Sequence, residues 1–151
     1  MSMLQTGVML AAAMASVGLG ANLPVNGAKP LSEVLVTLDK GGLRSVTEVS
    51  FDDGVWEVEG IRDGRPVELH IDPLTCKIIN ERADEAHPVI PGEGKSLIEI
   101  CKAVEDAGYS PVTEAEYEPT GWEIETLHNG AARQLVVDGR TGKILSDQPD
   151  D

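Results

Sequence analysis

Two stretches of the sequence decide the fold. Residues 31–78 read LSEVLVTLDKGGLRSVTEVSFDDGVWEVEGIRDGRPVELHIDPLTCKI, and residues 97–144 read LIEICKAVEDAGYSPVTEAEYEPTGWEIETLHNGAARQLVVDGRTGKI. Laid over each other at an offset of 66 residues without a gap, they share 15 of 48 positions, where average residue usage gives about three by chance. The sequence therefore predicts a tandem duplication.

Each repeat begins with a helical pattern and continues with strand patterns. One apolar helical face comprises Leu31, Val34, Leu35 and Leu38 in the first repeat and Leu97, Ile100, Cys101 and Val104 in the second. Apolar and polar residues then alternate, and Asp53-Gly54 and Asp63-Gly64 are typical hairpin turns. The predicted fold class is α+β: two tandem αββββ repeats, each an antiparallel meander sheet with one N-terminal helix packed on one face. Because Trp56 and Trp122 stand at inward strand positions, we expect both in the core.

Five segments are expected along the chain. They are a signal peptide (1–28), a first repeat (29–81), a linker (82–95), a second repeat (96–146) and an acidic tail (147–151). Residues 1–28 hold no charged residue or histidine and contain an apolar run that is short for a membrane span, which favours a cleaved signal over a retained anchor. The linker ends at Ser96, which with Glu99 predicts a capping box for the second helix.

Composition excludes one class of partner. The chain has 12 Lys and Arg against 26 Asp and Glu, a formal charge of -14. Binding to a nucleic acid backbone needs clustered basic side chains, and here they are few and dispersed. We therefore expect no nucleic acid partner.

The repeats resemble the PepSY domain. The most specific portion is LVVDGRTGKI at 135–144, matched by LHIDPLTCKI at 69–78, and the resemblance covers residues 31–80 and 97–146. It implies an extracytoplasmic bacterial protein, periplasmic or secreted, of a family found in propeptides of thermolysin-like metallopeptidases and associated with peptidase regulation. It implies no catalytic residues and no cofactor.

The chemistry-bearing residues fit that implication. His70, His87 and His128 have no metal-ligand spacing, and the familiar hydrolase motifs are absent from the sequence. The remaining candidates are carboxylates, which we expect to share one solvated environment and so to lack the difference in pKa that acid-base catalysis needs. We therefore expect no catalytic site and no enzyme.

Acidic residues are predicted to line the outward faces of both meanders. They are Glu48, Asp52, Glu57, Glu59, Glu68 and Asp72 in the first repeat, and Glu114, Glu116, Glu118, Glu123, Glu125 and Asp138 in the second. Three roles stay open: a solubilising face, a docking face for a basic protein, or a calcium site. For docking, the candidates are Glu57, Glu59, Glu123 and Glu125.

The two cysteines leave alternatives open. Cys76 stands where the second repeat has Gly142, and Cys101 lies on the apolar helix face. Export to an oxidising compartment makes a Cys76–Cys101 disulfide a candidate. The alternatives are two free thiols, or a metal site with only these two ligands.

Two functions result. The leading hypothesis is a non-enzymatic binding or regulatory module of the bacterial envelope that inhibits or regulates a peptidase. The alternative is an acidic accessory or sensory envelope protein that binds a cation or docks on a membrane-bound partner.

Overall fold

The computed structural model describes residues 23–85 and 93–150. The helices and strands are α1 (Leu31–Lys40), β1 (Leu43–Asp52), β2 (Val55–Arg62), β3 (Arg65–Ile71), β4 (Ile78–Ala83), α2 (Leu97–Asp106), β5 (Tyr109–Glu118), β6 (Gly121–His128), β7 (Ala131–Val137) and β8 (Ile144–Pro149). The α+β class and the order of one helix followed by four strands, twice, are as the sequence predicts.

The two meanders join into one antiparallel sheet, which corrects the expectation of a separate sheet in each repeat. The strand order is β4-β3-β2-β1-β5-β6-β7-β8. At the centre, β1 pairs with β5 through Glu48↔Glu116, Val49↔Ala115 and Ser50↔Glu114. We call this pairing the seam. A four-stranded unit buries little surface by itself, so continuing one meander with the other gives both repeats a common core.

Both helices belong to one layer, and the core lies between that layer and the sheet. The helices contact each other, and α2 contacts β5. Inward strand positions alternate with outward ones as predicted, and Trp56 and Trp122 are only 1% and 2% exposed. Each indole meets an aromatic ring of the preceding strand edge to face, Phe51 at 5.1 Å and Tyr117 at 5.2 Å. The expectation that both tryptophans belong to the core is confirmed.

Local signals place the turns and helix ends. Asp53 and Gly54 both adopt positive φ, 50° and 81°, which is the backbone of a tight hairpin turn. The capping box at Ser96 is confirmed, because its side chain accepts from Glu99 N while the Glu99 carboxylate accepts from Ser96 N at 3.0 Å. By contrast, α1 begins after Pro30, which offers no side-chain cap.

The predicted segment boundaries differ from the elements at two places. Strand β4 continues to Ala83, two residues into the expected linker, and β8 continues to Pro149, three residues into the expected tail. Residues 1–22 of the expected signal peptide and residues 86–92 of the linker lie outside the described residues. Within the described part, no helix is long and apolar enough to cross a membrane.

Candidate functional site

The outward face of the sheet carries eight glutamates in two neighbouring rows, which together we call the glutamate face. The first row crosses the strands through Glu68, Glu59, Glu48, Glu116 and Glu123, each directly opposite the next. The second row contains Glu57, Glu114 and Glu125, with Ser50 between Glu57 and Glu114. Antiparallel pairing at the seam makes the rows continuous, so both repeats contribute to one surface.

The four predicted partner-binding residues all lie on this face, but they form two groups. Glu57 and Glu59 are on β2, and Glu123 and Glu125 are on β6. Strands β1 and β5 separate the groups, a span of about 14 Å at normal strand spacing. The intervening space is occupied by glutamates that the candidate set omitted: Glu48, Glu114 and Glu116.

The carboxyls of the glutamate face differ in environment, which corrects the expectation of one solvated environment. Burial, and after it the neighbouring carboxylates, raises the pKa of Glu59 and of Glu114 to about 7 and that of Glu125 to about 8. The same causes raise the pKa of Glu48 and Glu116. Carboxyls with separated pKa values could in principle divide acid and base roles. The sequence argument against catalysis assumed one shared environment, so it does not hold for these carboxyls.

Two aspartates after the last strand of each repeat extend the glutamate face. Asp84 and Asp150 are 66 residues apart, and each backbone N–H donates to a strand carbonyl, those of Pro66 and Ala132, at 3.1 Å. Asp84 contributes to the raised pKa of Glu59. Asp150 contributes to the raised pKa of Glu125. The sequence analysis placed both aspartates in a linker or a tail, although the offset of 66 continues to them.

Basic side chains reach this face in the first repeat. Arg82 lies 2.6 Å from a Glu68 carboxylate oxygen, and His70 Nε2 lies 3.3 Å from the same oxygen. The corresponding positions in the second repeat are neutral: Gln134, Val136 and Gln148. The half of the glutamate face on β5 and β6 therefore has no matching cations from its own repeat.

Two triads on the outward side of the sheet bring possible metal ligands together. They are Glu57, Glu68 and His70, and Glu116, Glu118 and Glu123, with candidate ligand atoms within 4.8 Å of one another in each triad. Cross-strand pairing assembles the first triad, which is why spacing along the chain did not reveal it. Each triad has three side chains, whereas Ca²⁺ takes six to eight oxygens.

Both cysteines are buried free thiols in the structure. Cys76 adopts a φ of 62°, close to the 77° of Gly142, so the turn keeps its left-handed geometry despite the side chain. Burial, with a smaller contribution from Glu105, raises the pKa of Cys101 above its ordinary value. The Cys101 thiol therefore has little thiolate for reaction. The Cys76–Cys101 disulfide and two free thiols both stay predictions for the exported protein.

Sequence comparison identifies the family. The family model described as "Peptidase propeptide and YPEB domain", PepSY_2, matches residues 2–82, which is more than half of the chain. The chain belongs to this PepSY family, as the resemblance in the repeats implied. The match ends within β4, so the assignment of the second repeat to the same kind of domain rests on its sequence identities with the first repeat. No curated protein matches the chain in sequence.

Two solved structures are similar over most of the chain. One is a candidate lipoprotein from Clostridium difficile 630, with 12% identity, covering 86% of this chain and 99% of that one at a TM-score of 0.48. The other is the Bacillus megaterium YpeB C-terminal domain, with 11% identity, covering 85% of this chain and 69% of that one at a TM-score of 0.34. Neither similarity is close enough to identify a function.

Proposed function

We propose that this chain is a non-enzymatic binding module of the bacterial envelope, periplasmic or secreted, that regulates a peptidase by direct contact. The description of its family names the peptidase propeptide and the YPEB domain. Such domains are generally regulatory rather than catalytic. The observation that carries the proposal is the glutamate face. A continuous acidic surface built by both repeats suits a basic surface on a partner.

The glutamate face gives the partner a defined chemistry. Carboxylates opposed across strands repel one another, and lysine or arginine side chains of a partner would relieve that repulsion. The half on β5 and β6 is the stronger candidate, because Glu114, Glu116, Glu123 and Glu125 meet no basic residue at the positions where Arg82 and His70 stand in the first repeat. Charge attraction of this kind also accelerates encounter and weakens with salt.

The sheet edges offer a second means of contact. Because β1 and β5 pair with each other, the remaining edges are β4 and β8. All six residues of β4 are exposed, including Ile78 and Ile79. An extended segment of a peptidase could add to such an edge through main-chain hydrogen bonds.

The alternative is an accessory or sensory envelope protein that binds a cation or docks on a membrane-bound partner. The two ligand triads favour it, since each gathers three ligand atoms on the outward face. Titration with calcium followed by calorimetry distinguishes this function. Heat that disappears in a Glu116→Gln, Glu123→Gln variant supports cation binding, and no heat at millimolar calcium rejects calcium as the ion.

The experiment for the leading proposal uses a purified thermolysin-like metallopeptidase and a fluorogenic peptide substrate. We expect the chain to lower peptidase activity in a saturable way, and added salt to weaken that inhibition. Joint Glu57→Lys and Glu123→Lys substitution should weaken inhibition further, because it reverses charge in both groups of predicted partner-binding residues.

A matched control makes the same charge change on the helix layer. Glu33 on α1 and Asp106 on α2 are exposed, and joint Glu33→Lys and Asp106→Lys substitution should leave inhibition unchanged. Equal loss in both variants would show that net charge, rather than the glutamate face, is responsible. Hydrolysis of a substrate by the purified chain itself would contradict a non-enzymatic role.

A further inference from the structure

The glutamate face crosses the seam, where its carboxyls oppose one another directly. Glu48 lies opposite Glu59 on β2 and opposite Glu116 on β5. Glu114 on β5 lies opposite Glu125 on β6. Ionised side chains of like charge at such positions destabilise the pairing of their strands. The pair Glu48↔Glu116 therefore costs stability at the joint between the repeats, and the opposed pairs on either side add to the repulsion, unless some of these groups are neutral.

The seam is the shortest strand pairing at the centre of the sheet. Three residue pairs join β1 to β5, whereas seven join β1 to β2 and seven join β5 to β6. Two of the three seam pairs place glutamates on the outward face, Glu48↔Glu116 and Ser50↔Glu114. Few backbone hydrogen bonds oppose the repulsion there. The charge of these side chains therefore has a larger effect on strand pairing at the seam than at the other pairings of the central strands.

Asp84 adds a further carboxyl beside Glu59 and contributes to its raised pKa. Two ionised carboxylates have no hydrogen to donate to each other, so a proton on one of them favours such a neighbourhood. The same position in the second repeat holds Glu125 close to Asp150.

We propose that the glutamate face makes the seam proton-dependent: the two repeats pair firmly while part of its carboxyls are protonated, and their pairing weakens when those protons leave. The groups concerned are Glu59, Glu114 and Glu125. This inference concerns the chain alone and does not depend on the proposed partner.

Charged neighbours from every adjoining strand act on these three groups, and nearly all are acidic. Facing them are Glu48 on β1, Glu68 on β3, Glu116 on β5, Glu123 on β6, Asp84 after β4 and Asp150 after β8. The basic side chains of Arg82 and His70 contact Glu68, at the β3 end of the first row. No cation within the described residues is paired with Glu114 or Glu125.

The direction of the pH effect follows from the pKa shifts. Burial and the acidic neighbours raise the pKa of these glutamates from 4.5 to about 7 for Glu59 and Glu114 and about 8 for Glu125. The folded chain therefore binds more protons than the unfolded chain between these values. Stability from these groups is complete below pH 4.5 and is lost as the pH rises to 8.

The test measures urea unfolding of the chain from pH 5 to pH 8. We expect the folding equilibrium constant to fall at least about tenfold over this range. Joint Glu59→Gln, Glu114→Gln and Glu125→Gln substitution imitates the protonated state with the same shape, and should reduce the fall to less than about threefold. Asp106→Asn, which removes one charge from the helix layer, should leave the fall unchanged.

Hydrogen exchange locates the effect. After correction for the intrinsic rate, amides of residues 48–50 and 114–116 should lose more protection between pH 6 and pH 8 than amides of β6 and β7. A constant or rising folding constant from pH 5 to pH 8 would overturn the inference. So would an equally steep fall in the glutamine variant, or equal loss of protection in all strands.

Discussion

Glu105 near the C-terminal end of α2 accepts a 2.6 Å hydrogen bond from the hydroxyl of Ser32 at the start of α1, 73 residues away. Its second carboxylate oxygen accepts from the Ser32 backbone N–H at 3.3 Å. A carboxylate at this end of a helix satisfies a free donor and opposes the positive end of the helix dipole. The second repeat thus supplies the cap that Pro30 cannot give to α1.

Removing this cap should destabilise the chain. We expect Glu105→Ala to lower the free energy of unfolding by about 1–2 kcal/mol, because the buried Ser32 hydroxyl loses its acceptor and α1 loses its cap. Urea unfolding measures the effect. In a double-mutant cycle with Ser32→Ala, the two losses should be clearly non-additive, and strict additivity would show that the contact does not contribute.

Acidification should also weaken the fold, through a different cluster. Asp147 on β8 accepts hydrogen bonds from Tyr109 Oη at 2.5 Å and from Arg133 Nε at 2.7 Å. These bonds lower the pKa of Asp147, so its contribution is present above the pKa of the unfolded chain and is lost as the pH falls.

We therefore expect Asp147→Asn to reduce the loss of stability below pH 4, as measured by thermal unfolding at a series of pH values. Asp53→Asn, at an exposed turn position where asparagine also accepts positive φ, is the control. An unchanged acid profile in Asp147→Asn would mean that this cluster does not contribute.

The thiols should resist modification in the folded chain. Cys101 is 0% exposed and Cys76 is 8% exposed, so an alkylating reagent should label neither under native conditions and both after unfolding without reductant. Mass spectrometry measures the labels. A mass two hydrogens lower, with no labelling of the unfolded chain, would show that Cys76 and Cys101 form a disulfide.

Local patterns predicted the elements well because they depend on nearby residues. Alternation placed Trp56 and Trp122 in the core, and Ser96 with Glu99 placed the start of α2. The joining of the meanders was missed because alternation assigns faces to a strand without naming its neighbour. Glu48 and Glu116 looked alike as outward residues, and only the register shows that they oppose each other.

The geometry of the candidate surface could be predicted from the sequence only in part, for the same reason. The outward glutamates were read correctly, but their pKa values depend on burial by side chains of neighbouring strands. The contribution of Asp84 was hidden, since the composition around it is typical of a linker. The Ser32–Glu105 contact joins residues too far apart for any local motif to reveal it.

Carboxyl footprinting tests the central claim, that the glutamate face binds the partner. The chain is labelled with a carbodiimide and a small amine, alone and in complex with the thermolysin-like metallopeptidase, and the labelled carboxyls are identified by mass spectrometry. We expect complex formation to protect Glu57, Glu116 and Glu123 and to leave Glu33 and Asp106 on the helix layer unprotected. Protection of the helix layer with continued labelling of the glutamate face would contradict the claim.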